Sequence, residues 1–238
     1  MTVMAPLVEV TMRGLLGRRR MLLLLLLVAL PVLLALLIRV TGGRPDADAV
    51  LDTLVVRFVM PLLALIVGTA VIGSEIDDGT AVFLMVKPIA RWRIVLSKAI
   101  VAAGLTAALV VPAVILTGIL LGGRSDATTT IVGFGVACLV GGSAYAVAFL
   151  ALSVFTSRAF LVGLAYVLIW EGVLAGLLEG TKFLSIRQAT LALAAALGVD
   201  VQEPLTPVIS VLVLTIVLVG GFLLASWRLA RFEVRGGD

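Results

Sequence analysis

Six long apolar runs dominate this chain of 238 residues and leave it few ways to fold. Each run has about 18 or more residues, the length that a helix needs to cross a hydrocarbon core of about 30 Å. Because lipid offers no partner for backbone N–H and C=O groups, each run must form a helix. The sequence therefore predicts an all-α, polytopic membrane protein with six transmembrane helices. They are residues 21–38, 54–72, 100–121, 131–155, 160–178 and 208–227.

Composition supports this class. Hydrophobic residues make up 62% of the chain and charged residues only 13%, whereas about a quarter of an average soluble protein is charged. No repeat of roughly 20 to 50 residues is visible, which indicates neither a solenoid nor a tandem array. We therefore expect residues 1–238 to form a single transmembrane domain.

The positions of lysine and arginine predict the orientation. If both termini lie on one side, twelve of the 18 basic residues fall on that side, which should be cytoplasmic. We therefore predict a multi-pass protein of the cell membrane with both termini in the cytoplasm. The net charge of +4 comes from bases near the membrane exits, such as Arg18, Arg19 and Arg20. Such bases suit anionic lipid headgroups, so the predicted partner is the lipid bilayer and not nucleic acid.

Two shorter helices are predicted outside the spans. Residues 3–16 carry a weak apolar stripe that is typical of an amphipathic helix lying in the headgroup plane. Between spans five and six, residues 186–197 are rich in alanine and leucine, and Gly198 follows as a helix terminator. About twelve helical residues extend only some 18 Å, so we expect a short external or re-entrant helix there.

Several kinds of chemistry are excluded by missing residues. The chain has no histidine, and its one cysteine, Cys138, lies within an apolar run. Zinc sites with histidine ligands and nucleophiles activated by histidine therefore cannot be built, and we expect no catalytic site and no metal site. A Gly-rich phosphate loop is also absent. We expect no cofactor in this chain, and if ATP drives the protein, another subunit must bind it.

The most informative polar segment is residues 73–98, which the charge bias places in the cytoplasm. Asp77 and Asp78 precede a predicted helix over residues 80–86, whose positive N-terminal end they would stabilise. Pro88 then ends that helix and begins a second one over residues 88–98, with Trp92 at the membrane interface. Two helices separated by a sharp break indicate a folded element with a partner to bind.

This segment resembles the cytoplasmic loop of type 2 ABC exporter permeases, in which a Glu, a Gly-Thr, an apolar turn, a Pro, an Arg and a Lys recur in this order. Six spans, an amphipathic N-terminal helix and an enlarged last external loop are also similar to that family. The resemblance implies a coupling helix that docks on an ATP-binding subunit. Its docking residues would be Glu75, Asp77, Asp78, Gly79, Thr80, Phe83, Leu84 and Pro88. Arg91 and Lys98 would anchor the element at the membrane surface, together with Trp92.

The function implied by the resemblance is that of the membrane-spanning permease subunit of an ATP-driven exporter. Such a subunit is not itself an enzyme. It would pair with a second permease, identical or different, and with two copies of an ATP-binding subunit that hold ATP and Mg²⁺. Two alternatives stay open: an ion-coupled secondary carrier, and a non-transporting scaffold or signalling subunit of an ABC-type complex.

Glu171 is the one carboxylate deep within a predicted span. A charge at the centre of a bilayer costs roughly 2.5 to 3.5 kcal/mol, so this side chain should face protein or water. It could contact a transported molecule or sense protons. It could equally cap the external helix or pair with Lys182.

Overall fold

The computed structural model describes residues 18–43, 46–77, 91–122, 127–174, 183–201 and 205–231. Within these ranges the chain forms helices and no strand. We number the helices α1 to α7. They are α1 (Arg18–Val40), α2 (Ala47–Val50, Leu51–Val59 and Met60–Asp77 in succession), α3 (Arg91–Leu121), α4 (Ala127–Phe155), α5 (Ala159–Ala165 followed by Tyr166–Leu174), α6 (Ile186–Ala196) and α7 (Pro207–Ala230).

Each predicted span falls on one of these helices, apart from residues 175–178 of the fifth span, which lie outside the described residues. Five of the described helices are long and apolar enough to cross a membrane: α1, α2, α3, α4 and α7. The apolar stretch of α5 is shorter, Ala159–Val173, so the described part of the chain gives five candidate spans where six are predicted. The predicted amphipathic helix, residues 3–16, lies outside the described residues.

Helix α4 lies at the centre of the fold and packs against α2, α3, α5, α6 and α7. It runs parallel to α2, since Asp48 lies beside Thr130 at one end and Met60 lies beside Gly142 farther along. Most of the surface of α2 and α4 is buried, whereas α1 and α7 expose most of theirs. An apolar outer surface on a polytopic chain is what contact with lipid requires.

Helix α6 packs antiparallel to α4. Thr190 sits directly on Gly141, and the residues after α6, including Val199, sit on Gly133. Glycine is needed at these two positions because a side chain would collide with Thr190 at Gly141 and with Val199 at Gly133. The end of α6 was predicted correctly: Gly198 has a φ of +92°. Its N–H bonds the Ala195 carbonyl at 3.0 Å, and this αL termination ends the helix.

Candidate functional site: a buried polar cluster joining three helices

The N-terminus of α6 is held by side chains from two directions. Ser185 is its N-cap, and its hydroxyl oxygen accepts the Gln188 N–H at 3.0 Å. A serine followed three residues later by glutamine is the sequence pattern of a capping box, so the start of this helix is encoded locally. The free N–H groups and partial positive charge of a helix N-terminus favour a negative group nearby.

Glu171 supplies that negative group. Its side chain is only 2% exposed. One carboxylate oxygen accepts hydrogen bonds from the Tyr166 hydroxyl at 2.9 Å and from the Ile186 N–H at 3.0 Å, and the other accepts the Ser185 hydroxyl. A buried carboxylate with three donors is well satisfied, because hydrogen bonds and the helix N-terminus replace lost water. These contacts are those of a helix cap, one of the roles expected for Glu171, while Lys182 lies outside the described residues.

A second link ties α6 to α2. Arg187, the next residue of α6, is buried and donates to Asp52 of α2 at 3.4 Å, while the carboxylate of Asp52 keeps 32% of its surface exposed. Nearby, Arg57 of α2 donates to the Gly172 carbonyl of α5 at 3.5 Å. Polar contacts therefore connect α2, α5 and α6 around the start of α6.

The cluster is built on two stretches of π-helix, Leu51–Val59 in α2 and Tyr166–Leu174 in α5. In the first stretch, the N–H of Met60 reaches the carbonyl of Val55, five residues back. π-Helical turns are rare and are frequent at functional sites. Here they carry four of the polar side chains of the cluster: Asp52, Arg57, Tyr166 and Glu171.

At the opposite end of the bundle, basic side chains join the helix ends. Arg91, a predicted surface anchor at the start of α3, donates to the Leu229 carbonyl near the end of α7 at 3.1 Å. Trp92 is 48% exposed, and the guanidinium of Arg93 lies 5.3 Å from its ring centre. Such a half-exposed, cation-stacked tryptophan is suited to a membrane interface.

Lys98 was also predicted as a surface anchor, but its side chain is only 2% exposed. Its ammonium group donates to the Val71 carbonyl of α2 at 2.8 Å and so ties α3 to α2. Arg20 is exposed at the start of α1, where Arg18 and Arg19 are described only as helical backbone. The role of these residues at the membrane surface stays a prediction.

The predicted docking element lies mostly outside the described residues. Glu75 and Asp77 belong to the last turns of α2, described here as backbone alone. The other predicted docking residues fall in the undescribed stretch 78–90: Asp78, Gly79, Thr80, Phe83, Leu84 and Pro88. Their docking role stays a prediction, as does the break at Pro88.

Five polar residues of the cluster were missed from the sequence: Asp52, Arg57, Tyr166, Ser185 and Arg187. Only Ser185 carried a usable local signal, the capping-box pattern with Gln188. The ion pair of Arg187 with Asp52 joins residues 135 positions apart, and spacing along the chain cannot reveal such a pair.

The family is decided by comparison with known proteins. The model of a family described as "ABC-2 family transporter protein" matches residues 16–173, about two thirds of the chain. The chain belongs to the ABC-2 transporter family. No curated protein matches it.

Membership makes this chain a permease subunit of an ABC transporter: a multi-pass membrane component that is not catalytic itself and works with an ATP-binding partner. The matched range runs from before α1 nearly to the end of α5. It includes Asp52, Arg57 and Glu171 of the polar cluster, whereas Ser185 and Arg187 lie beyond it. The permease thus carries part of its polar cluster in the family region and part outside it.

Proposed function

We propose that this permease is the membrane half of an ATP-driven exporter. Two permease chains, identical or different, would form the pathway, and two ATP-binding subunits would bind ATP and Mg²⁺ and supply the energy. Both termini would lie in the cytoplasm of a cell-membrane protein, and residues 1–238 would act as one domain. ATP-driven closure of the partner would move the helices between inward-open and outward-open states.

The observation that carries the proposal is the short connection between α2 and α3, at the ends of these helices that we propose to be cytoplasmic. α2 continues to Asp77 and α3 begins at Arg91, so the proposed coupling helix joins two helices directly. The buried bond from Lys98 to Val71 links those helices just inside the connection. A force applied to residues 78–90 would therefore move α2 and α3 together.

The docking proposal is tested by co-purification with a co-expressed ATP-binding subunit. Phe83→Asp or Leu84→Asp should abolish association, because each places a charge at the proposed apolar contact. Val208→Asp is the matched control, since Val208 is 76% exposed in the first turn of α7, at the other end of the bundle. Association that survives both Phe83→Asp and Leu84→Asp would contradict docking through this segment.

We also propose that α6 is re-entrant, with its N-terminus pointing towards the middle of the membrane. Thr190 packs on Gly141, which lies about 21 Å along α4 from Ala127 at 1.5 Å per residue. Glu171, which bonds the start of α6, lies at most about 18 Å along α5 from Ala159, because the rise per residue is smaller than 1.5 Å in the π-helical part. The first distance is measured from the proposed outer end of α4 and the second from the proposed inner end of α5, so the start of α6 lies between the two surfaces of a hydrocarbon core of about 30 Å and not at the outer one.

The depth of α6 in the membrane can be measured with single cysteines placed in a Cys138→Ala background. Gln188→Cys should resist a membrane-impermeant maleimide, while Asp200→Cys, at an exposed position after α6, should react from outside. Equal labelling at the two positions would place α6 on the surface instead. Labelling of Ser157→Cys only after membranes are opened would support the proposed orientation.

The contacts of Glu171 argue against the alternative that this protein is an ion-coupled secondary carrier. An ion-coupled carrier would need a carboxylate able to exchange its partners during transport, and Glu171 was the group considered for that role. Its three hydrogen bonds to Tyr166, Ser185 and Ile186 hold it as a cap for α6. This arrangement favours the ATP-driven permease.

A further inference from the structure

Arg57 is a charged side chain placed well inside a membrane-spanning helix. It lies ten residues after Ala47, at most about 15 Å along α2, because the rise per residue is smaller than 1.5 Å in the π-helical part. Its guanidinium donates to the Gly172 carbonyl, which is at most about 20 Å along α5 from Ala159 at the proposed inner end of that helix. The side chain therefore does not reach back to the outer surface, and an arginine at this depth should face protein or water and not lipid.

The charge of Arg57 is not balanced within the cluster. Its contact with the Gly172 carbonyl, at 3.5 Å, is at the long limit of a hydrogen bond. Among the described residues no carboxylate forms an ion pair with it, since Asp52 pairs with Arg187 and Glu171 is engaged by the start of α6. A half-buried guanidinium with unused donors can accept an additional anionic group.

An apolar stripe continues from this position towards the cytoplasm. Phe58 is 46% exposed, and Leu62 and Ile66, each four residues farther on, are partly exposed on a helix that is otherwise mostly buried. Arg57 and Phe58 both belong to the π-helical stretch, whose wider turn displaces side chains from α-helical register. One cation next to an apolar stripe matches a molecule with an anionic head and an apolar body.

We propose that Arg57 binds the anionic group of the transported molecule, which is an amphipathic organic anion whose apolar part lies along Phe58, Leu62 and Ile66. The inference rests on the proposed function and adds a substrate class to it. The anion could come from a membrane lipid or from a free amphiphile, because a phosphate and a carboxylate present the same acceptor chemistry to a guanidinium.

The test uses the complex of the permease with its ATP-binding subunit, in phosphatidylcholine nanodiscs without nucleotide. The probes are dansylaminoundecanoic acid and its methyl ester, which differ in charge at one end, and binding is read from dansyl fluorescence after subtraction of empty nanodiscs. The wild type should bind the acid about tenfold more tightly than the ester, as expected for one charge-assisted hydrogen bond.

Arg57→Gln should reduce that preference to about one, because the amide keeps a donor but loses the charge. Arg57→Lys should retain a preference of a few fold, since a lysine is a point charge without the bidentate fork. Arg39→Gln is the matched control, because Arg39 is an exposed cation at the outer end of α1 and its loss should leave the preference intact. Equal binding of acid and ester by the wild type, or an unchanged preference in Arg57→Gln, would overturn the proposal.

Two further experiments distinguish a lipid from a free anion as the occupant, and failure of the anion site from failure of the exporter proposal. Adding phosphatidylglycerol to the nanodiscs should displace the acid if a lipid headgroup is the natural occupant, whereas lack of displacement assigns the site to a free anion. In sealed vesicles, binding that prefers the acid and depends on Arg57, without ATP-driven movement of the acid, would refute the proposed exporter function but support the anion site. ATP-driven movement without charge preference would refute the anion site alone.

Discussion

Replacing Glu171 by alanine should destabilise the permease through the loss of one end of α6. The change removes the acceptor of three hydrogen bonds and leaves the Ile186 N–H, a buried backbone donor, without its partner. Two of the three bonds, those from Ser185 and Ile186, are interhelical, and interhelical hydrogen bonds in a membrane protein average about 0.6 kcal/mol. The same value for the Tyr166 bond within α5 gives a lower sum near 2 kcal/mol. Bonds to a charged acceptor are worth about 1.5 kcal/mol or more each, which gives an upper value above 4 kcal/mol.

We therefore expect the free energy of unfolding to fall by about 2 to 5 kcal/mol. Equilibrium unfolding in mixed micelles, followed by tryptophan fluorescence, measures this directly. Glu171→Gln should cost less than alanine, because the amide oxygen can still accept from Ile186 while the amide nitrogen cannot. Asp200→Asn, at an exposed carboxylate after α6, is the control and should change stability by less than about 0.5 kcal/mol. A Glu171→Ala protein as stable as that control would show that the capping argument is wrong.

Two further predictions concern packing and charge. Gly141→Ala should lower the melting temperature, since the new methyl group would collide with Thr190 and overpacking typically costs about 1 to 3 kcal/mol. Gly135→Ala in the same helix is the control, because its methyl group meets open space and should be neutral or stabilising. Equal effects of the two substitutions would contradict the close packing of α6 on α4. A double-mutant cycle with Asp52→Asn and Arg187→Gln, measured on unfolding free energies, should give a coupling energy of at least about 0.5 kcal/mol, because the arginine is buried. Strictly additive effects of the two substitutions would mean that the ion pair adds no stability.

Sequence reasoning located the helices well because their formation is a local problem. The backbone of an apolar run in lipid must form its hydrogen bonds within the run, so run length alone predicted the ends of α1, α4 and α7 to within a few residues. The end of α6 was equally local, since Gly198 supplies the positive φ that terminates the helix. Glu171 could be singled out for the same kind of reason, as a charge is conspicuous within an apolar run.

Tertiary structure alone decided what those residues do. Lys98 looked like a surface base and is buried against Val71, because the packing of α3 on α2 encloses it. Arg187 and Asp52 pair only because the fold brings α6 onto α2, and the π-helical turns that position Asp52 and Arg57 leave no pattern that the sequence reveals. Helix formation depends on each segment and its solvent, whereas side-chain partners depend on contacts between segments far apart in the chain.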